Sequence, residues 1–165
     1  GNMALSLSAR LGSERIKSCF ALYPAAHLTH PERLDTVMGC VSDKFRSGVV
    51  IPHWCMKLFI NAYTTPGTDM NDPRLSPMFY DASKFPKYVA VACGDADTLY
   101  RMSFDLMKKI SGSASGTNVD GSRKFICVLN EAHEFNTFGR TRASQEERDR
   151  VEGEAINMIR ASWRQ

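Results

Sequence analysis

No run of apolar residues in this chain approaches the roughly 20 that a membrane-crossing helix requires, so no membrane span is expected. Paired cysteines are lacking as well. The five, Cys19, Cys40, Cys55, Cys93 and Cys127, are an odd number with no C-x-x-C spacing, which argues against a zinc framework or a complete disulfide set. Cys19, Cys93 and Cys127 lie inside apolar runs, where a thiol behaves as a small hydrophobe. Free thiols in a reducing compartment, the cytoplasm, are the expectation. Charge of one sign is scarce: 21 Lys and Arg face 18 Asp and Glu, a formal +3, and a nucleic-acid partner would ask for a basic stripe. The late arginines Arg140, Arg142, Arg148 and Arg150 are interleaved with Glu146, Glu147 and Asp149, as on a solvated helix face. No secretory signal and no internal repeat is seen. An opening is also missing. No Met stands first, and no cap or turn leads into the helix suggested by Met3, Leu7 and Leu11, with Gly12 as its stop. The expectation is a chain that continues from something upstream; a start at Met3 behind a cloning scar is the alternative.

A chain of 165 residues with 43% hydrophobic content can bury one domain-sized core. Residues 16–23, 88–93 and 124–129 are short apolar runs that read as buried strands. The last two are nearly continuous rather than alternating, as in a parallel sheet covered on both faces. Helical patterns lie between and after them. Residues 51–63 carry Trp54, Leu58 and Tyr63 with Cys55, Phe59 and Ala62, and Pro52 suits the first turn. Residues 98–110 carry Leu99, Met102, Leu106 and Ile110. Residues 144–163 place Val151, Ala155, Met158 and Ile159 on one face, with Ser144 and Glu147 as a capping box. This alternation predicts an α/β sheet. Two stretches break the rhythm. Residues 24–87 are too long for an ordinary connection and predict a cap or lid excursion above the sheet. Residues 111–122, rich in Ser and Gly, predict a flexible polar loop.

The chemistry-bearing residues follow two strand ends: Gly94-Asp95-Ala96-Asp97-Thr98-Leu99 after the second, Asn130-Glu131-Ala132-His133-Glu134-Phe135 after the third. Functional residues of a parallel sheet collect at the carboxyl ends of its strands. An Asp after one strand and a His after the next can meet, and an acid that orients an imidazole is half of a nucleophilic triad. The plainer alternative is an Asp that caps a helix and a His on the surface. His27, His30 and His53 have no acidic partner at ligand spacing, so no metal is expected. Trp54, Phe59 and Tyr63, with Met56, either line an acyl or aryl pocket or simply pack the excursion onto the core.

Four segments resemble the hormone-sensitive-lipase-like carboxylesterases, the fold-3 group of α/β-hydrolases. Residues 71–79, Asn-Asp-Pro-Arg-Leu-Ser-Pro-Met-Phe, are similar to that family's DPRxSPL segment, the most specific piece. Residues 85–91 resemble the loop and strand that follow it. Gly94 to Leu99 resembles the family's G-x-x-D-x-L, which makes Asp97 rather than Asp95 the triad acid. His133-Glu134-Phe135 resembles H-G-F, which makes His133 the base. The chain departs in having Glu134 for Gly, Thr98 where Pro is frequent, and a longer Ser/Gly loop. Gly1-Asn2 resembles the end of the nucleophile elbow G-x-S-x-G-G-N, so the serine and the oxyanion loop are expected upstream. The resemblance implies the C-terminal half of an α/β-hydrolase with a cap at residues 24–87. It also implies a serine esterase or lipase-like enzyme that takes small-molecule esters, needs no cofactor, and is inactive as this truncated piece. An arylformamidase-like amide hydrolase, and a relative that binds a small ligand without catalysis, are the alternatives.

Overall fold

The computed structural model describes residues 1–164. The three apolar runs become β1 (Ser18–Leu22), β2 (Tyr88–Gly94) and β3 (Arg123–Val128), paired in parallel in the order β1-β2-β3. The register runs from Ser18 opposite Tyr88 to Leu22 opposite Ala92, and from Val89 opposite Arg123 to Gly94 opposite Val128. The middle strand is buried from Val89 to Gly94, which is why its sequence does not alternate.

Successive side chains of β2 point to opposite layers. Val89 and Val91 pack against α1 (Asn2–Arg15) and α4 (Tyr100–Ser111) through Leu5, Ala9, Leu106, Met107 and Ile110. Ala90 and Ala92 pack on the other side with Ile126, Val128 and Phe135, the last in α5 (Phe135–Phe138), against Val151 and Met158 of α6 (Arg142–Trp163). The result is the expected sheet between helical layers.

Residues 24–87 contain 3₁₀ turns, α2 (Leu34–Val37) and α3 (His53–Tyr63), and they build a satellite core. Leu28, Leu34, Met38, Met56, Ile60 and Met70 meet Leu99 and Met102 there, so the excursion rests on the start of α4. Its return segment is pinned by hydrogen bonds. The buried Ser76 hydroxyl accepts from Leu28 N and donates to Leu28 O. Asp72 accepts from the backbone N and guanidinium of Arg74, which hold its carboxyl down at about 2. Asn2 Nδ2 donates to Ala25 O and Leu75 O at 2.6 and 2.9 Å and joins α1 to both ends of the excursion.

Gly12, at φ +71°, breaks the helical run as expected, and one further turn follows it to Arg15. Several other local expectations are corrected. The buried face of α1 is Leu5 and Ala9 with Ser6 and Ser8, while Met3 and Leu7 are 75% and 52% exposed. The serines can be buried because Ser6 donates to Arg74 O and Ser8 to Leu5 O. In α3 the buried residues are Met56 and Ile60, and Trp54, Leu58 and Tyr63 are 68%, 58% and 65% exposed. The cap of α6 is Thr141, whose hydroxyl accepts from Ser144 N at 3.1 Å; Ser144 turns its own hydroxyl to Glu131. Ile159 is exposed, and the face ends on Ser162, which donates to Ile159 O. Residues 111–122 are tied down: Asn118 N donates to Arg123 O, Asn118 Oδ1 accepts from Arg123 N, and Phe125 N donates to Gly116 O. These bonds seal the outer edge of β3.

Candidate active site

At the end of β2 the chain must pass very close to the loop after β3. A Cβ on Gly94 would stand 2.0 Å from Glu131 O, so only glycine fits. The turn that follows places Asp97 at the start of α4. Asp97 Oδ1 accepts from Leu99 N at 2.8 Å, and its carbonyl accepts from Tyr100 N at 3.0 Å. Oδ2 is left for His133 Nδ1, 2.8 Å away, and Asp97 is fully buried. Asp95 faces elsewhere: Oδ1 accepts from Asn130 N at 2.7 Å, and its carbonyl accepts from Val41 N and Ser42 N. Two carboxylates in one turn thus serve two loops, and Asp97 both holds the turn into α4 and contacts the imidazole.

His133 is held from several sides. Residues 46–49 lie across its loop as a strap. Arg46 N donates to Asn130 O, Ala132 N to Ser47 O, and Val49 and His133 exchange both backbone bonds at 2.7 and 3.0 Å. Gly48, at φ +92°, allows this approach, since a Cβ there would meet His133 O at 2.4 Å. Glu134, which stands where the resembled family has Gly, adopts the left-handed conformation at φ +59°. Tyr23, at the end of β1, lays its ring 4.3 Å from the imidazole and itself has φ +34°. Its hydroxyl donates to Asn136 Oδ1 at 2.8 Å. Burial, then the charges of Glu134 and Asp97, push the Tyr23 phenol up, so it stays protonated as that donor. Thr98, where Pro is frequent in the resembled family, donates to Ile51 O and ties the turn to the excursion.

Behind the loop lies Glu131, wholly buried. It takes Arg46 Nε at 3.0 Å, Ser144 Oγ at 2.8 Å and Ser47 Oγ. Sequence reasoning passed over Tyr23 and Glu131. The Tyr-Pro step after an apolar run was a signal for the first; nothing local signals the second.

His133 opens onto a cavity of about 340 Å³. Its wall is apolar, with Leu28, Ile51, Met56 and Leu99 among the lining residues, and Gly1 and Asn2 reach it as well. Of the three aromatics expected to line a pocket, Phe59 and Tyr63 do so, and Trp54 does not. His53 has an acidic partner after all, Asp35 at 2.5 Å, on the surface. His27 stacks edge-on against Phe79, where burial lowers its pKa. Among the described residues no three His, Cys, Asp or Glu converge as metal ligands, all five cysteines are unpaired, and no helix is long and apolar enough to cross a membrane.

Chemically, a carboxylate on Nδ1 selects the tautomer that leaves Nε2 as the proton acceptor. Among the described residues no side chain hydrogen-bonds Nε2. An imidazole so held, facing an apolar cavity, has the geometry that a general base requires.

A model of the alpha/beta hydrolase fold family matches residues 1–136. No curated protein sequence matches the chain. Among solved structures the chain is similar to brefeldin A esterase, a bacterial homologue of human hormone sensitive lipase, at 20% identity and a TM-score of 0.64 over 96% of the chain. It is similar to esterase E25 at 16% identity and a TM-score of 0.63, again over 96% of the chain. An esterase/lipase from an uncultured bacterium gives 14% identity and a TM-score of 0.60 over 99%. The chain spans 45% of the length of the first two and 50% of the third.

Proposed function

The chain belongs to the alpha/beta hydrolase fold family, and from that premise we propose that Asp97 and His133 are the acid and base of a serine hydrolase of the carboxylesterase type, acting on small carboxylic esters. The observation that carries this reading is the 2.8 Å contact between Asp97 Oδ2 and His133 Nδ1 at the mouth of an apolar cavity. Asp97 keeps the imidazole in one tautomer and stabilises the imidazolium. His133 Nε2 takes the proton of the serine hydroxyl as its oxygen attacks the ester carbonyl, then gives it to the leaving alcohol. Water completes the cycle by the same route. The resemblance assigns the serine to a G-x-S-x-G-G elbow, and the N–H groups that hold the oxyanion to that elbow and to a separate oxyanion loop. The position of Gly1 and Asn2 on the wall of the cavity that His133 faces supports this assignment. Residues 24–87 act as the cap, with Phe59 and Tyr63 against the acyl or alcohol group. A formed acid–base pair favours catalysis over mere ligand binding.

The test compares two polypeptides. One that joins a segment bearing both the G-x-S-x-G-G elbow and the oxyanion loop to these residues hydrolyses p-nitrophenyl acetate and loses turnover on His133→Ala. The 165-residue chain alone does not exceed a denatured sample. Turnover by the elbow-bearing polypeptide that survives His133→Ala sinks the reading.

A further inference from the structure

A carboxylate is seldom buried without a reason, because its charge must be matched by donors that give up water as well. Glu131 is wholly buried and stands two residues before His133. Its donors come from separate parts of the chain. Arg46 and Ser47 belong to the strap, and Ser144 belongs to the first turn of α6. Its own carbonyl accepts from Ala96 N at 3.1 Å, in the turn that carries Asp97. The side chain touches neither the cavity wall nor the imidazole.

We infer that Glu131 is the positioning residue of the Asp97–His133 pair: its carboxylate clamps residues 46–49 and α6 onto the back of the His133 loop and thereby fixes the imidazole against Asp97. This rests on the reading of that pair given above. Asp97 constrains the ring from the front through one atom. The loop behind it has left-handed residues on either side of His133, at Asn130 and Glu134, and is not a regular element that would hold itself. Removal of the carboxylate leaves Arg46 Nε and the Ser47 hydroxyl without their acceptor, while Arg46 Nη2 keeps Leu129 O and Ser144 keeps Thr141. The strap that exchanges backbone bonds with His133 then loses its side-chain tie and is held by those backbone bonds alone. A loosely held supporting shell is enough to spoil a site whose groups are otherwise present.

The test is made on the elbow-bearing polypeptide and needs no turnover. The proton between His133 Nδ1 and Asp97 resonates far downfield, and its exchange with water reports how well the pair is held. Glu131→Ala speeds that exchange at least tenfold or abolishes the signal. Glu131→Gln, which keeps the volume and one acceptor, restores most of it. Ile110→Ala, which weakens the core of the opposite layer between α1 and α4, leaves the exchange unchanged at matched temperature below unfolding. Should Glu131→Ala fail to fold, Ser47→Ala, which removes one donor of the clamp, still speeds exchange. A downfield signal that is unchanged in a folded Glu131→Ala, or in Ser47→Ala where that variant is the one that folds, overturns the clamp and leaves the pair standing. A wild-type chain without the signal overturns the pair and the clamp with it. Absence of ester hydrolysis touches only the proposed reaction.

Discussion

The two walls of the cavity are held in different ways. On one side, His133 and Asp97 sit in turns that are crossed by backbone bonds from the strap, and among the described residues no buried side-chain polar atom lacks a partner. On the other side, α3 buries only Met56 and Ile60 and has a surface contact from His53 to Asp35, while Trp54, Leu58, Phe59 and Tyr63 remain more than half exposed. Directional bonds fix atoms to within fractions of an ångström. Apolar contacts fix only a general distance. The polar wall is suited to chemistry and the apolar wall to accommodation, since regions with few buried contacts open at low free energy.

The sharpest way to break this contrast is to exchange the roles of the two carboxylates on the stiff wall. In an elbow-bearing polypeptide, Asp97→Asn is expected to lower kcat by about 10³ to 10⁴, the scale seen when an imidazole loses its orienting acid. Asp95→Asn, which changes only the acceptor of Asn130 N, stays within about tenfold. The opposite ranking moves the acid to Asp95. Next in size is Ile60→Ala on the softer wall. It removes a buried anchor and is expected to destabilise by about 2–4 kcal/mol in denaturant unfolding. Hydrogen exchange sharpens the comparison: amides of α3 speed up in this variant while those of Val49 and His133 do not. Equal acceleration of both sets would show one cooperative unit rather than two walls.

Glu134→Gly probes the stiff wall with a smaller effect. The left-handed conformation penalises a residue with a Cβ, and glycine relieves that at the expense of a freer unfolded chain. A net gain of about 0.5 kcal/mol in urea unfolding is expected; a loss would mean that the Glu134 side chain stabilises its loop. The smallest effect concerns pH. His27, in the excursion, has a pKa lowered by burial, with Asp105 opposing weakly. The unfolded chain therefore binds a proton near pH 6.5 that the folded chain refuses. The contribution is complete above pH 6.5 and is lost as pH falls toward the lower folded value. His27→Gln flattens stability across that window, as thermal melts from pH 7 to pH 5 would show.

The parts legible in the sequence are those with a local signature. Short apolar runs marked the strands of the described residues, and the order of Asp97 and His133 at consecutive strand ends, with the resemblance, marked the pair that the structure places in contact. What escaped depends on distant partners. Met3, Leu7 and Leu11 have the better apolar spacing, yet α1 buries Ser6 and Ser8 because Arg74 O and Leu5 O accept from them. Ser144 looked like a cap and instead serves Glu131. Glu131 finds its acceptor role through Arg46 and Ser47, far earlier in the chain, and no spacing rule connects them.

The strand register also sets an order of events. Pairing Ser18 with Tyr88, or Val49 with His133, closes a loop about twice as long as that between Val89 and Arg123, and each doubling of loop length adds about 0.6 kcal/mol of closure entropy. Pairing Val89 with Arg123 spans a shorter connection that α4 fills with fast local structure. Asp97 and His133 both ride on this second pair of strands. During refolding, the amide of Asp95, bonded to Val128 O, is therefore expected to gain protection before that of Tyr23, bonded to Ala92 O, or of Val49, bonded to His133 O. Acid and base then meet early, and the strap that locks them arrives last.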